Sequence, residues 1–151
     1  MFNTLAPQIL FQEVPDEVSL GFTVMGCQLR CKGCHSTDTW SEDGGSPLTA
    51  EIFRTYLKQY VDYISCVIFF GGEWQAEKLI EMLDISHDFK LKTCLYTGLN
   101  QVPEKIIKRL TFLKTGPWIR ELGGLDQATT NQKFIEVSSN RILNHKFQET
   151  H

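Results

Sequence analysis

No apolar run in this chain approaches the roughly 20 residues that a membrane-spanning helix needs, and Met1 to Pro7 lacks the basic segment, apolar stretch and small-residue cleavage site of a secretory leader. The expected location is therefore the cytoplasm, with no membrane partner. Basic charge is not in excess either. With 15 Lys and Arg against 18 Asp and Glu, a formal net charge of -3, the chain has no global cationic surface for a nucleic-acid backbone, which leaves free nucleotides as compatible ligands. No internal repeat and no Pro- or Gly-rich linker divides the 151 residues, so residues 1–151 read as one domain with a core large enough to need no disulfide staples. Apolar residues at 42% and charged residues at 22% are the balance of an ordinary globular protein.

Cysteine is where the composition concentrates. Three of the five, Cys27, Cys31 and Cys34, stand at spacings of four and three residues within Met25-Gly26-Cys27-Gln28-Leu29-Arg30-Cys31-Lys32-Gly33-Cys34-His35. Thiols so crowded bind metal or oxidise. A cubane iron-sulfur cluster has four irons, so three thiolates would leave one iron open to another ligand. Zinc competes, but a structural zinc closes four tetrahedral ligands, and His35, directly after Cys34, has difficulty turning back onto the same ion. A disulfide with a spare thiol requires an oxidising compartment, which nothing in the sequence suggests. The open-site cluster is the leading reading of the three. Arg30 and Lys32 are placed to offset the negative charge of such a cluster, or are simply solvated cations.

The flanking pattern is that of an α/β protein. Ile9 to Phe11 is a short apolar patch, an edge strand or an arm. Val18, Leu20, Phe22 and Val24 alternate with small or polar residues, a strand that feeds the cysteine stretch through Gly26. Ser36 to Trp40 suits one helical turn, and Ser41 to Pro47 a surface loop. Thr49 opens a helix with Ile52, Phe53, Tyr56, Leu57 and Tyr60 at helical spacing. Ser65 to Phe70 is a nearly continuous apolar run ending at Gly71-Gly72, as in a buried parallel strand. A helix through Leu79, Ile80 and Leu83 follows, then a strand over Leu91 to Thr97, a helix opened by Pro103, a short strand at Phe112-Leu113 and a last strand over Lys133 to Val137. Cys66 and Cys94 fall inside strands and read as small core residues. The polar tail from Arg141 is expected to fray.

CxxxCxxC after a first strand, with Gly71-Gly72-Glu73 after a later one, resembles the radical S-adenosylmethionine superfamily. Within it, Gly33-Cys34-His35, Tyr96-Thr97-Gly98, Gly116-Pro117-Trp118 and Thr130-Asn131-Gln132 resemble the activating enzymes of anaerobic ribonucleotide reductases. The resemblance implies a partial, open (β/α) barrel of mostly parallel strands. It implies a [4Fe-4S] cluster on Cys27, Cys31 and Cys34, with S-adenosyl-L-methionine chelating the open iron through its amino and carboxylate groups. One electron then splits the sulfonium from C5′, giving a 5′-deoxyadenosyl radical that takes a hydrogen from a backbone glycine of the reductase. Gly71, Gly72 and Glu73 would receive the amino group, and Thr97 and Lys114 would reach the ribose or carboxylate. Flavodoxin or ferredoxin would be the reductant. The chain departs from the family pattern at Trp74, where proline is common, and at Lys114-Thr115, where an acidic residue usually precedes Gly-Pro. Two other classes compete: a radical enzyme acting on a small molecule such as a pterin-like precursor, and an iron-sulfur electron carrier without catalysis. The carrier would need a fourth ligand, and Cys66 and Cys94 fall in buried strands.

Overall fold

The computed structural model describes residues 2–26 and 45–148. In chain order its elements are β1 (Asn3–Thr4), β2 (Gln8–Leu10), β3 (Ser19–Thr23), β4 (Ser46–Pro47), α1 (Ala50–Tyr60), β5 (Cys66–Phe70), a 3-10 turn (Glu73–Gln75), α2 (Ala76–Asp88), β6 (Lys92–Tyr96), α3 (Glu104–Ile107), β7 (Phe112–Thr115), β8 (Lys133–Glu136), β9 (Arg141–Ile142) and α4 (His145–Gln148). Seven strands form one sheet in the order β2-β3-β5-β6-β7-β8-β9. The four central strands, β3, β5, β6 and β7, run parallel, and β2, β8 and β9 join antiparallel. The fold is thus α/β around a sheet with a parallel centre.

Strand order that follows chain order has a packing consequence. Crossovers of one hand between successive neighbours put every connecting helix on the same face of the sheet. That face holds the larger core, in which Leu20, Phe22, Val67, Phe69 and Leu95 from the strands meet Phe53 and Leu57 of α1 and Leu79, Met82 and Leu83 of α2. Its centre is aromatic: the Phe22 and Phe69 rings stack at 5.6 Å and Phe53 meets Phe22 edge-on at 5.3 Å. Thr49 caps α1 by accepting from the Ile52 amide at 3.2 Å. Of the residues expected on its buried stripe, Ile52 instead lies outside it and is exposed, because Phe53 and Leu57 point at the sheet and Ile52 stands one position round the helix.

The opposite face has no helix of comparable length over it. Cys66, Ile68, Cys94, Phe112 and Phe134 are covered there by Val14, Leu125, Leu143 and Phe147, which come from the segment after β2, the connection between β7 and β8, and the C-terminal residues. From Arg141 to Gln148, the last described residue, the tail does not fray, contrary to the sequence expectation. β9 pairs with β8, Leu143 is buried, and the Asn144 side chain accepts from the Phe134 amide at 2.8 Å and donates to the Gln132 carbonyl at 2.8 Å. The expected loop over Ser41 to Pro47 is also corrected at its described end, since Ser46–Pro47 is β4 and pairs antiparallel with β1. The apolar patch at Ile9 takes the edge-strand form, as β2. The helical turn expected over Ser36 to Trp40 lies outside the described residues.

Candidate active site

At the C-terminal ends of the parallel strands, Gly71 and Gly72 follow β5 with φ of 88° and 106°, in the left-handed region where only glycine is unstrained. The turn is tied to its neighbours by the backbone: Val24 donates to the Phe70 carbonyl at 3.0 Å and Gly71 to the Tyr96 carbonyl at 2.9 Å. A Cβ on Gly72 would stand 3.2 Å from Cγ2 of Val24 and 3.3 Å from the Phe2 ring. A Cβ on Gly71 would stand 2.6 Å from Cη2 of Trp74, so the indole occupies the space a side chain at 71 would need. Nε1 of Trp74 is buried without a hydrogen-bond partner, a condition that costs about 1–3 kcal/mol.

Glu73 opens the 3-10 turn and is buried. One carboxylate oxygen accepts from the Thr97 hydroxyl, while the other is buried and accepts nothing. Burial pushes the Glu73 carboxyl above its ordinary value; the Thr97 hydroxyl, the residue's own backbone N–H and the Lys114 charge all favour the ionised form but do not offset it. Thr97, in the next strand's exit, also accepts from the Leu99 amide at 3.1 Å. Lys114 is buried at the end of β7, where Nζ donates to the carbonyls of Thr97 and Gly116 at 3.2 Å each and lies 5.6 Å from the centroid of the Tyr96 ring. Gly71, Gly72, Glu73, Thr97 and Lys114 are therefore brought to one end of the sheet by three adjacent parallel strands.

The two short motifs of the C-terminal half also meet there. Gly116, with φ of 104°, has Cα of Gln132 so close that a Cβ would stand 3.1 Å from it; Asn131 donates to the Pro117 carbonyl at 3.1 Å, and Gln132 to the Gly116 carbonyl at 3.3 Å. Oδ1 of Asn131 is buried without a partner. Beside Lys114, on the face that lacks long helices, lies an open cavity of about 340 Å³, bordered by Glu13, Tyr96, Asp126, Gln132 and Phe147. In the sequence Tyr96 enters only as part of a short motif and Glu13 is not marked, although Tyr96 stands two residues beyond Cys94 and so shares its face. The Tyr96 hydroxyl donates to the Glu13 carbonyl, and burial raises the phenol well above its ordinary value.

Cys27, Cys31, Cys34 and His35 lie outside the described residues. The flanks of that stretch are described, and they touch: a Cβ on Gly45 would stand 3.1 Å from Cγ of Met25 and 2.6 Å from the Thr4 carbonyl oxygen. Val24, packed on Gly72, is three residues before Cys27. A buried acceptor with no partner, beside two left-handed glycines and the head of a three-thiol stretch, fits the amino-acid end of a ligand that also reaches a cluster on those thiols. Cys66 and Cys94 do not extend the thiol set. Both are fully buried on the opposite face of the sheet from the helices, and burial pushes the Cys66 thiol up to about 12 and Cys94 well above its ordinary value.

A pyruvate formate-lyase-activating enzyme of Clostridium pasteurianum is 38% identical over 79 residues, which are 48% of this chain and 33% of that relative. The aligned stretch thus spans about a third of the relative's length. Residues 18–143, which include all four parallel strands and the three clustered cysteines, match the family described as a 4Fe-4S single cluster domain, and the chain belongs to that family.

Proposed function

We propose that this protein is a cytoplasmic radical S-adenosylmethionine enzyme, a single domain that installs a glycyl radical on an anaerobic ribonucleotide reductase. Membership of a 4Fe-4S family supports the cluster, for which Cys27, Cys31 and Cys34 are the ligands in this reading. Strand order that follows chain order, with helices on one face, supports a partial, open (β/α) barrel. The observation that carries the reading is the unpaired oxygen of buried Glu73 on a Gly-Gly turn packed against Val24, at the head of the cysteine stretch.

Each residue then has a task. The carbonyls at Gly71 and Gly72 and the Glu73 carboxylate receive the ammonium of the bound methionine moiety, and Thr97 fixes Glu73 by its hydroxyl. Lys114, held between two strand-end carbonyls, presents its charge to the ligand's carboxylate or ribose. With cluster and ligand bound, the pair supplies one-electron cleavage between sulfur and C5′ and so removal of a hydrogen atom from a glycine. The open cavity beside Lys114 is where a peptide loop would approach, and flavodoxin or ferredoxin is the proposed reductant.

Anaerobic mixing with an anaerobic ribonucleotide reductase, S-adenosylmethionine and a strong reductant is expected to give an EPR doublet that disappears when the reductase's radical glycine is changed to alanine. Pyruvate formate-lyase, which the relative's name identifies as that protein's target, is the comparison partner. A doublet on the formate-lyase alone would move the substrate assignment. Deoxyadenosine formation with neither partner radicalised would favour a small-molecule substrate, and no cleavage of S-adenosylmethionine would favour an electron carrier.

A further inference from the structure

We infer that Trp74 is a positioning residue for ammonium recognition, an indole that takes the place of the missing side chain of Gly71 and so fixes the direction of the turn's acceptors. The inference rests on reading this turn as the S-adenosylmethionine site. Gly71 and Gly72 must be glycine to hold φ of 88° and 106°, yet two successive glycines are the least restrained backbone a chain can have. A turn that directs carbonyls and a carboxylate at one small cation requires restraint. The restraint comes from three residues on: Cη2, Cζ3 and Cζ2 of Trp74 lie 2.6, 3.1 and 3.6 Å from where a Gly71 Cβ would stand, so the six-membered ring covers Gly71 directly.

The same side chain packs against the helix-covered core. The Gln75 amide closes the intervening turn on the Gly72 carbonyl at 2.9 Å, which leaves Glu73 inside a segment clamped at both ends. The indole N–H is buried with no acceptor, so the ring is held by its faces and edges and not by a hydrogen bond. Proline at this position would act differently, because it disfavours helical backbone at the preceding residue, and Glu73 here lies in a 3-10 turn. Tryptophan leaves Glu73 in that turn and supplies rigidity through contact.

The test measures binding to the anaerobically reconstituted holoprotein by equilibrium dialysis, with S-adenosylmethionine and with 5′-methylthioadenosine, which keeps the nucleoside thioether but has no amino-acid part. Trp74→Ala is expected to weaken S-adenosylmethionine binding about tenfold or more and to change methylthioadenosine binding by less than about twofold. Trp74→Phe, which keeps a ring and drops the N–H, is expected to stay within about threefold of the wild type for both. Where Trp74→Ala does not fold, Trp74→Leu carries the same expectation, since its side chain is too narrow to cover Gly71. Unchanged S-adenosylmethionine affinity in the Ala or Leu variant overturns the inference and leaves the site reading standing. Equal loss of both ligands, or a loss in the Phe variant as large as in the Ala variant, overturns it as well. A wild-type holoprotein that binds no S-adenosylmethionine overturns the site reading itself, and this inference with it.

Discussion

The two ends of the parallel strands are built to opposite rules. At the N-terminal end polar groups are paired with one another. Thr93 and Thr111 exchange amide-to-hydroxyl hydrogen bonds at 3.1 and 3.2 Å, and Thr93 donates to the Arg109 carbonyl at 2.8 Å. Ser65 bonds both backbone groups of Val18, and Lys92 meets Glu17 at 2.8 Å. The Ser19 hydroxyl, beside Cys66, is the exception at that end. At the C-terminal end, Glu73, Trp74 and Asn131 each keep a buried polar atom unpaired, and Gly71, Gly72 and Gly116 hold left-handed backbone. Each such atom costs about 1–3 kcal/mol, a loss that falls on three side chains at this end and on Ser19 at the other. Saturated polar groups stabilise the sheet at one end; the open valences at the other stand where parallel α/β proteins place their ligands, as the proposed function requires.

The sharpest way to break this contrast is through the cysteines. Replacing Cys27, Cys31 or Cys34 by alanine is expected to abolish cluster retention, whereas Cys66→Ala and Cys94→Ala, in the middle of the sheet, retain it and lose about 1 kcal/mol of stability. Iron per chain and urea midpoints measure both. A wild-type iron content in Cys31→Ala would remove the ligand assignment.

Glu73→Gln should separate binding from stability. Because burial raises the Glu73 carboxyl in the folded protein, the native state keeps a proton that the unfolded chain has already released. Stability contributed by this group is thus full below the unfolded value of 4.5 and is lost as pH rises through the folded one. The glutamine variant is expected to lack that fall and to exceed the wild type by about 1 kcal/mol at neutral pH, while S-adenosylmethionine binding weakens about tenfold. Urea titrations at acid and neutral pH, paired with dialysis, check the two signs; a variant less stable than wild type at neutral pH would contradict the raised carboxyl.

The smallest effects belong to the paired end. Thr93→Val removes a hydroxyl that accepts from the Thr111 amide and donates to the Arg109 carbonyl; because that amide keeps the Thr93 carbonyl at 2.9 Å, the change should cost about 0.5–1 kcal/mol without altering ligand affinity. Lys92→Ala removes an ion pair whose lysine is half exposed, and should cost no more than about 1 kcal/mol. Changed S-adenosylmethionine binding in either variant would dissolve the distinction between the two ends.

The sequence by itself carried the strands and the chemistry that local pattern encodes. Alternation over Val18 to Val24 set β3 and the apolar run to Phe70 set β5, and the spacing of Cys27, Cys31 and Cys34 pointed to a metal site, because each depends on residues adjacent in the chain. What required the tertiary structure was every pairing across elements. Thr97 meets Glu73 from another strand, Val24 closes on Gly72, and Trp74 lies on Gly71 although nothing in Gly-Gly-Glu-Trp marks a clamp. The C-terminal tail shows the same limit most plainly. From Arg141 its polarity reads as solvent-exposed chain, yet Asn144 satisfies the Phe134 amide and the Gln132 carbonyl at the edge of the sheet. A polar residue's role depends on which unpaired backbone group the fold brings to it, and periodicity in the sequence specifies which face is apolar but not which distant groups that face will meet.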